Sequence, residues 1–374
     1  SSATLYRIPR HPTVPVNKTL TGLGPIGIFV DGVIMFDSRD AFSVSNPGGA
    51  EANPGMGIWN RDAFVNEGVT FDPANAHQPG SGQYHYHANA IALRALLGDN
   101  VNMDSATKLY SENINQPRPA HSPILGWVRD GFPVYGPYGY GNATNPASDV
   151  RRMRSGFVPR NLSHSSVSNR TSLPAWAGRA QSRSTTLAAA QQGPPVSTTR
   201  PFGRYLEDND YLGDLGFTRG ADFDLDEFNG RFCVTPDFPD GTYAYFTSIT
   251  SDGTPAFPYN IGRQFYGNPT GNTVMGGAYP ESVTTHFRGG ANADLELESP
   301  AVGKSGEVTL TWSSVEGGTY VVASSTNFST WRTNSPSPTQ ATGTVTRMTQ
   351  AKDPAEPAKN FYRVMRTALA PHAN

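Results

Sequence analysis

Tyr84-His85-Tyr86-His87 concentrates more ligand chemistry than any other stretch of the chain. In an extended strand alternate side chains share a face, so His85 and His87 point one way and Tyr84 and Tyr86 the other. The two histidine Cα atoms then lie roughly 6.5–7 Å apart. Two imidazoles so placed can chelate a borderline ion such as zinc or copper. His121, which opens the segment HSPILGWVRDGFP, is the third candidate ligand, and Asp226 the fourth. Three neutral nitrogens with one open position suit a catalytic zinc site and suit copper equally. A water held in that position would have a depressed pKa. Asp130 and Glu227 are candidates for general base or orienting carboxylate, while Tyr135 and Tyr138 would line a cleft. His77 stands eight residues before His85 across a Pro-Gly turn and ranks below His121. His11, His164, His286 and His372 carry no motif. The competing reading of the tetrapeptide is a tyrosine and histidine hydrogen-bond ladder at a sheet edge.

These side chains need β elements to position them. Residues 26–30 and 33–36 flank Asp31-Gly32, a two-residue hairpin signal. Residues 126–128 and 132–135 flank Arg129-Asp130-Gly131, a second hairpin candidate. The strand holding the tetrapeptide spans 82–87. Residues 232–235 and 242–247 read as strands across a Pro-Asp-Gly turn. Short helices are expected over 90–97 and 173–180. The alternating carboxylates Asp222, Asp224 and Asp226 suggest a calcium loop, but Glu227 stands where that loop needs glycine.

The chain has 374 residues, with 39 Gly and 31 Pro and few charged side chains, which predicts a turn-rich, mainly β protein with long ordered loops. A formal net charge of −2 gives no global field favouring nucleic acid. No apolar run approaches the length of a membrane span. The single cysteine, Cys233, excludes an internal disulfide and reads as a buried filler. The start, Ser1-Ser2-Ala3-Thr4, reads as a mature or trimmed form. Residues 146–205 carry nine Arg and no Lys. They read as an insertion whose arginines tie a long loop to carbonyls and acids, with a lid or anion-binding arm as the alternative. From about 295 short alternating strands over 308–312, 319–324, 344–349 and 361–364 predict a small Ig/fibronectin-like β-sandwich. The expected domains are 1–290 and 295–370, with a linker over 285–300.

The segments GQYHYHAN, HSPILGWVRDGFPVYGPYG and DLDEFNGRFCVTPDFPDGTYAYF, with GPIGIFVDGVIMF before them, resemble the YHYH-domain family over roughly residues 20–270. The resemblance implies an exported bacterial protein, secreted or periplasmic, with a suspected metal role. Many members repeat a His-rich strand late in the domain. Here the corresponding stretch, Gly241 to Phe246, has no histidine, and Asp226 and Glu227 are the residues expected to complete the shell. The segment from 310 to 364 resembles a small sandwich module at the ends of many secreted bacterial proteins, where it usually serves as an accessory domain. Two functions are therefore expected. One is a copper- or zinc-dependent enzyme, oxidative or hydrolytic, acting on a small molecule or polysaccharide. The other is a non-catalytic secreted module that binds a metal or a glycan.

Overall fold

The computed structural model describes residues 4–55, 57–78, 82–161, 164–269, 274–275, 282, 295–334, 338–351 and 361–368. Two Asp-Gly turns organise the larger unit. Strand β1 (Pro25–Phe29) turns through Asp31-Gly32 into β2 (Ile34–Phe36). Strand β5 (Ile124–Val128) turns through Asp130-Gly131 into β6 (Pro133–Tyr135). Both expected hairpins form, and they turn alike. In each the aspartate Oδ1 accepts from the backbone N–H two residues on, Val33 at 2.9 Å and Phe132 at 3.2 Å.

Strands β3 (Ala76–His77), β4 (His85–Tyr86), β7 (Gly230–Cys233) and β8 (Thr242–Phe246) complete one eight-stranded sheet, in the order β3-β4-β2-β1-β5-β6-β8-β7. Its two halves repeat one another. From the centre outwards each is a hairpin, a parallel strand against the hairpin's second arm, and an antiparallel edge strand. The register equates Tyr84-His85-Tyr86-His87 with Tyr243-Ala244-Tyr245-Phe246, because Met35 faces Tyr86 as Val134 faces Tyr245. The halves meet where β1 and β5 pair antiparallel. Gly27 and Gly126 make that approach possible: a Cβ on the first would meet the Trp127 carbonyl oxygen at 2.6 Å, and one on the second the Ile28 carbonyl oxygen at 2.5 Å.

The core between the halves is made of matching positions, including Ile26 with Leu125, Phe29 with Val128, Met35 with Val134 and Tyr86 with Tyr245. The edge strands are also entered alike. Asp72 N–H donates to the Ala76 carbonyl and Asn75 N–H to the Asp72 carbonyl, as Asp226 N–H does to Gly230 and Asn229 N–H to Asp226. Asn75 and Asn229 both take the left-handed conformation, at φ 69° and 68°, which asparagine tolerates better than most residues. Tyr84 and Tyr243 donate their hydroxyls to Asp72 and Asp226.

Helices are short, as the sequence suggests: α1 (Ala63–Glu67), α2 (Ile91–Leu96) and α3 (Ala175–Ala180). Among the described residues no helix is long and apolar enough to cross a membrane. The arginines of 146–205 tie that segment down. Arg170 is buried against Asp208 and the carbonyls of Pro194 and Pro201, Arg204 pairs with Glu51, and Arg151 and Arg154 share Asp224. Asp224 and Asp226 therefore face partners of their own chain and form no calcium loop. Cys233 is buried within a small apolar cluster.

The chain divides into units Ser1–Tyr279 and Pro280–Asn374. Most of the expected linker lies outside the described residues. In the second unit, Ala301–Val302, Val308–Ser313 and Val345–Gln350 form one antiparallel sheet. Thr319–Ser325 pairs with Arg332–Thr333, Thr339–Gln340 and Phe361–Ala368 in another. Both sheets contribute to a core of Leu310, Trp312, Tyr320, Val322 and Met348.

Candidate metal centre

The strand edge assembles three imidazoles. His77 on β3 lies directly across from His85 on β4, and His87 follows at the end of β4 on the same face as His85. Their ligand atoms all lie within 4.8 Å of one another. The closest approaches are between Nε2 atoms: 3.1 Å from His77 to His85 and 2.8 Å from His85 to His87. His85 and His87 are buried, and His77 is partly so.

The other ring nitrogens determine what those Nε2 atoms carry. His85 Nδ1 lies 2.8 Å from the Gln83 carbonyl oxygen, and His87 Nδ1 lies 2.7 Å from that of Asp37. A carbonyl only accepts, so both Nδ1 atoms are donors. His77 Nδ1 lies 2.8 Å from Thr70 Oγ1, whose own proton goes to the Glu67 carbonyl at 2.7 Å. Thr70 therefore accepts from His77. In the neutral rings all three Nδ1 atoms hold the proton, and three Nε2 lone pairs face one another across 3 Å with nothing to share. Such an array repels itself unless a proton or a cation enters it.

Glu67, the last residue of α1, adds a carboxylate. Its Oε2 lies 3.3 Å from His87 Nε2 and 3.7 Å from His77 Nε2, and it is a buried oxygen without a hydrogen-bond partner. The helix is fixed at its start by Asp62, whose Oδ1 accepts from Val65 N–H at 3.1 Å. Aromatic rings wall the group. Phe36 stacks on His85 at 3.9 Å, and Phe71 lies parallel to His87 at 6.1 Å and edge-on to His77 at 4.8 Å. Burial, reinforced by the neighbouring His87, lowers the His85 pKa to about 4. Burial also lowers that of His77. Burial works to raise the Glu67 pKa, but the neighbouring His87, His77 and His85 together outweigh it and the net shift is downward.

The donor set fits a transition metal. An ion about 2.0–2.1 Å from each nitrogen in tetrahedral geometry sets donor–donor edges near ~3.4 Å. The contacts between neighbouring donor atoms, from 2.8 to 3.7 Å, bracket that value. Nδ1–H bonds to carbonyl oxygens are the usual means of orienting a ligating histidine.

The structure brings His85 and His87 together, but with His77 and Glu67 in place of His121 and Asp226. His121 packs its ring against Tyr135 and Tyr140 and donates Nδ1–H to the Ser122 carbonyl at 2.8 Å. It precedes β5, which β1 and β2 separate from β4. Asp226 accepts from Tyr243, Phe228 N–H and Gly230 N–H beside the opposite edge of the sheet, where burial raises its pKa to about 6. Its neighbour Glu227 pairs with Arg179 at 2.6 Å. Asp130 is buried and accepts from the Tyr245 hydroxyl and Gly267 N–H. Tyr135 bonds Thr235 and Asp237. Tyr138 is buried. None of these belongs to the histidine group. Sequence reasoning undervalued His77 and passed over Glu67. The signal for His77 was the match of Asp72-Pro-Ala-Asn-Ala-His77 with Asp226-Glu-Phe-Asn-Gly-Arg231, which marks both as entries to equivalent strands.

A family model described as YHYH protein matches residues 5–259, more than half of the chain. No curated protein and no solved structure matches it.

Proposed function

The chain belongs to the YHYH protein family, and we propose that it binds one transition-metal ion, copper or zinc, through His77, His85 and His87, with Glu67 beside them. One observation carries the reading: three Nε2 lone pairs converge while every Nδ1 is committed elsewhere, and the Glu67 carboxylate beside them has a buried oxygen without a hydrogen-bond partner. A hydrogen-bond ladder would alternate donors with acceptors, and this arrangement has acceptors alone. Nitrogen donors favour copper or zinc over calcium or magnesium.

We read the protein as an exported metal-dependent enzyme. Zinc would supply Lewis acidity for hydrolysis, and copper would supply one-electron chemistry. The chain's own residues have definite parts. Gln83, Asp37 and Thr70 hold the rings by their Nδ1 atoms, and Phe36 and Phe71 exclude water from the buried side. Glu67 Oε2, buried against the imidazoles of His87 and His77, is placed to take a proton from a group bound at the site. That contact also favours the second reading. If Glu67 serves as a fourth ligand, the site is closed by protein alone and belongs to a non-catalytic module.

The test is metal content. Protein purified without a polyhistidine tag, exposed to copper and zinc and then desalted, should retain about one ion per chain by elemental analysis. Glu67→Gln separates the two readings: a closed site loses affinity, whereas an open site keeps the ion and loses turnover. Uptake of neither metal by the unaltered protein refutes the proposal.

A further inference from the structure

The duplicated sheet has a second half in which the metal ligands are replaced. His77, His85 and His87 correspond in register to Arg231, Ala244 and Phe246, and Arg231 faces Ala244 as His77 faces His85. Ala244 and Phe246 have no ligand atom. Arg231 instead brings a permanent positive charge. Its side chain is folded inwards with 6 % of its surface exposed, and its guanidinium lies 5.5 Å from the Phe246 ring centroid. Nη2 donates to the Tyr140 carbonyl. Nε is a buried atom, the Cys233 thiol is the neighbour of the guanidinium, and among the described residues no carboxylate lies within ion-pair distance. A buried, unpaired cation is costly, so something must offset it.

Arg231 forms part of the wall of a cleft of about 450 Å³, together with Asn142, Arg219, Asp224 and Phe232. The wall is net positive. Asp224 is bound by both Arg151 and Arg154, at 2.6 and 3.0 Å, so it is already overbalanced. Arg219 is half exposed and holds Asp226 only at 3.3 Å, which leaves it free to turn. Asn142 commits its side-chain oxygen to Thr144, leaving the amide NH2 as a donor. Phe232, 62 % exposed, offers a flat apolar face at the rim.

We propose that this cleft is a binding site for a small oxyanion, the phosphate, sulfate or carboxylate group of a ligand whose ring rests on Phe232. Guanidinium groups bind such anions in a forked geometry. Arg231 would supply the fixed charge, and Arg219 would close over the anion from the rim. The site is separate from the histidine group. The two lie on opposite edge strands of the sheet.

Thermal unfolding and calorimetry at low ionic strength provide the test, with inorganic phosphate, sulfate, glucuronate and glucose as probes. A saturable rise in Tm with at least one oxyanion and none with glucose is expected. Phosphate and sulfate active without glucuronate would identify a phosphoryl or sulfuryl group, and glucuronate alone a carboxylated sugar. Arg219→Gln, at an exposed position, should weaken binding about tenfold. Arg231→Gln should abolish it while the circular dichroism spectrum is retained. If Arg231→Gln does not fold, Arg219→Gln decides. No oxyanion effect on the unaltered protein, or unchanged affinity in Arg219→Gln, would overturn the proposal.

Discussion

Replacing His77 by Ala should cost far more metal affinity than replacing His121, and the size of the difference follows from the geometry. Three Nε2 atoms approach a common centre, with Glu67 Oε2 beside two of them, so Glu67 or a small ligand would be the fourth donor of the proposed site. A protein zinc site of this kind has an apparent binding free energy of about 10–16 kcal/mol at neutral pH. Divided over four donors, each accounts for about 2.5–4 kcal/mol, or about 10²–10³-fold in affinity. His77→Ala should therefore weaken binding by that factor, with His85→Ala and His87→Ala at least as damaging. His121→Ala should change affinity by less than about threefold, because its ring contacts Tyr135, Tyr140 and Phe246 and none of the three histidines. The assay is competition against a chromophoric chelator of known affinity, using only the folded fraction, since His121→Ala also leaves a cavity among aromatic rings. Equal losses for His77→Ala and His121→Ala would refute the site as assembled here. So would a His77→Ala protein that binds as tightly as the unaltered chain.

Two further outcomes concern stability. Glu207 is fully buried and accepts from Asn60 N–H at 2.8 Å and its side-chain amide at 2.9 Å, yet burial pushes its pKa up to about 7. A carboxyl raised in the folded state stabilises while protonated. Its contribution is full below the unfolded value of about 4.3 and is lost as pH rises through about 7, to a limit of about 3–4 kcal/mol. Urea unfolding from pH 4 to 8 should show Glu207→Gln losing stability with rising pH less steeply than the unaltered protein, and parallel profiles would contradict this. Asn229 holds a positive φ, donates to the Phe246 carbonyl at 2.7 Å and accepts from Ser248 at 2.8 Å. Asn229→Ala should cost about 2–4 kcal/mol, and Asn229→Gly somewhat less because glycine recovers the backbone term. A loss under about 1 kcal/mol in urea unfolding would show that the turn does not depend on this residue.

What the sequence disclosed was mostly local. The Asp-Gly turns identify the two central hairpins because the turn chemistry lies within four residues. The alternation in 84–87 places two histidines on one face because strand geometry alone requires it. The histidine group itself depends on contacts that no short window contains. His77 sits in a two-residue strand, too short for any periodic pattern, and it reaches His85 only because the Asp72–Asn75 turn directs it back against β4. Glu67 arrives on a five-residue helix with no amphipathic signal. Asp226 and Glu227 seemed close in chemistry to the tetrapeptide because their segment leads to the matching strand. The sheet order places that strand in the other half.

The duplication was hidden for a different physical reason. Loops of unequal length break the period, so Asp130 follows Asp31 by 99 residues, while Asp226 follows Asp72 by 154 and Tyr243 follows Tyr84 by 159. The Arg-rich segment lies within the longer intervals, between β6 and β7. Only strand pairing restores the correspondence. That correspondence also limits the chemistry. A symmetric molecule would carry two imidazole groups and take up two ions. Here Ala244 and Phe246 present no lone pair, and Arg231 places a cation where His77 places a ligand. A second metal ion in that half would meet like charge in a partly desolvated setting, where repulsion between unit charges a few ångströms apart costs several kcal/mol. One ion per chain is therefore the stoichiometry expected of the proposed site, and the same substitution leaves the other half suited to an anion.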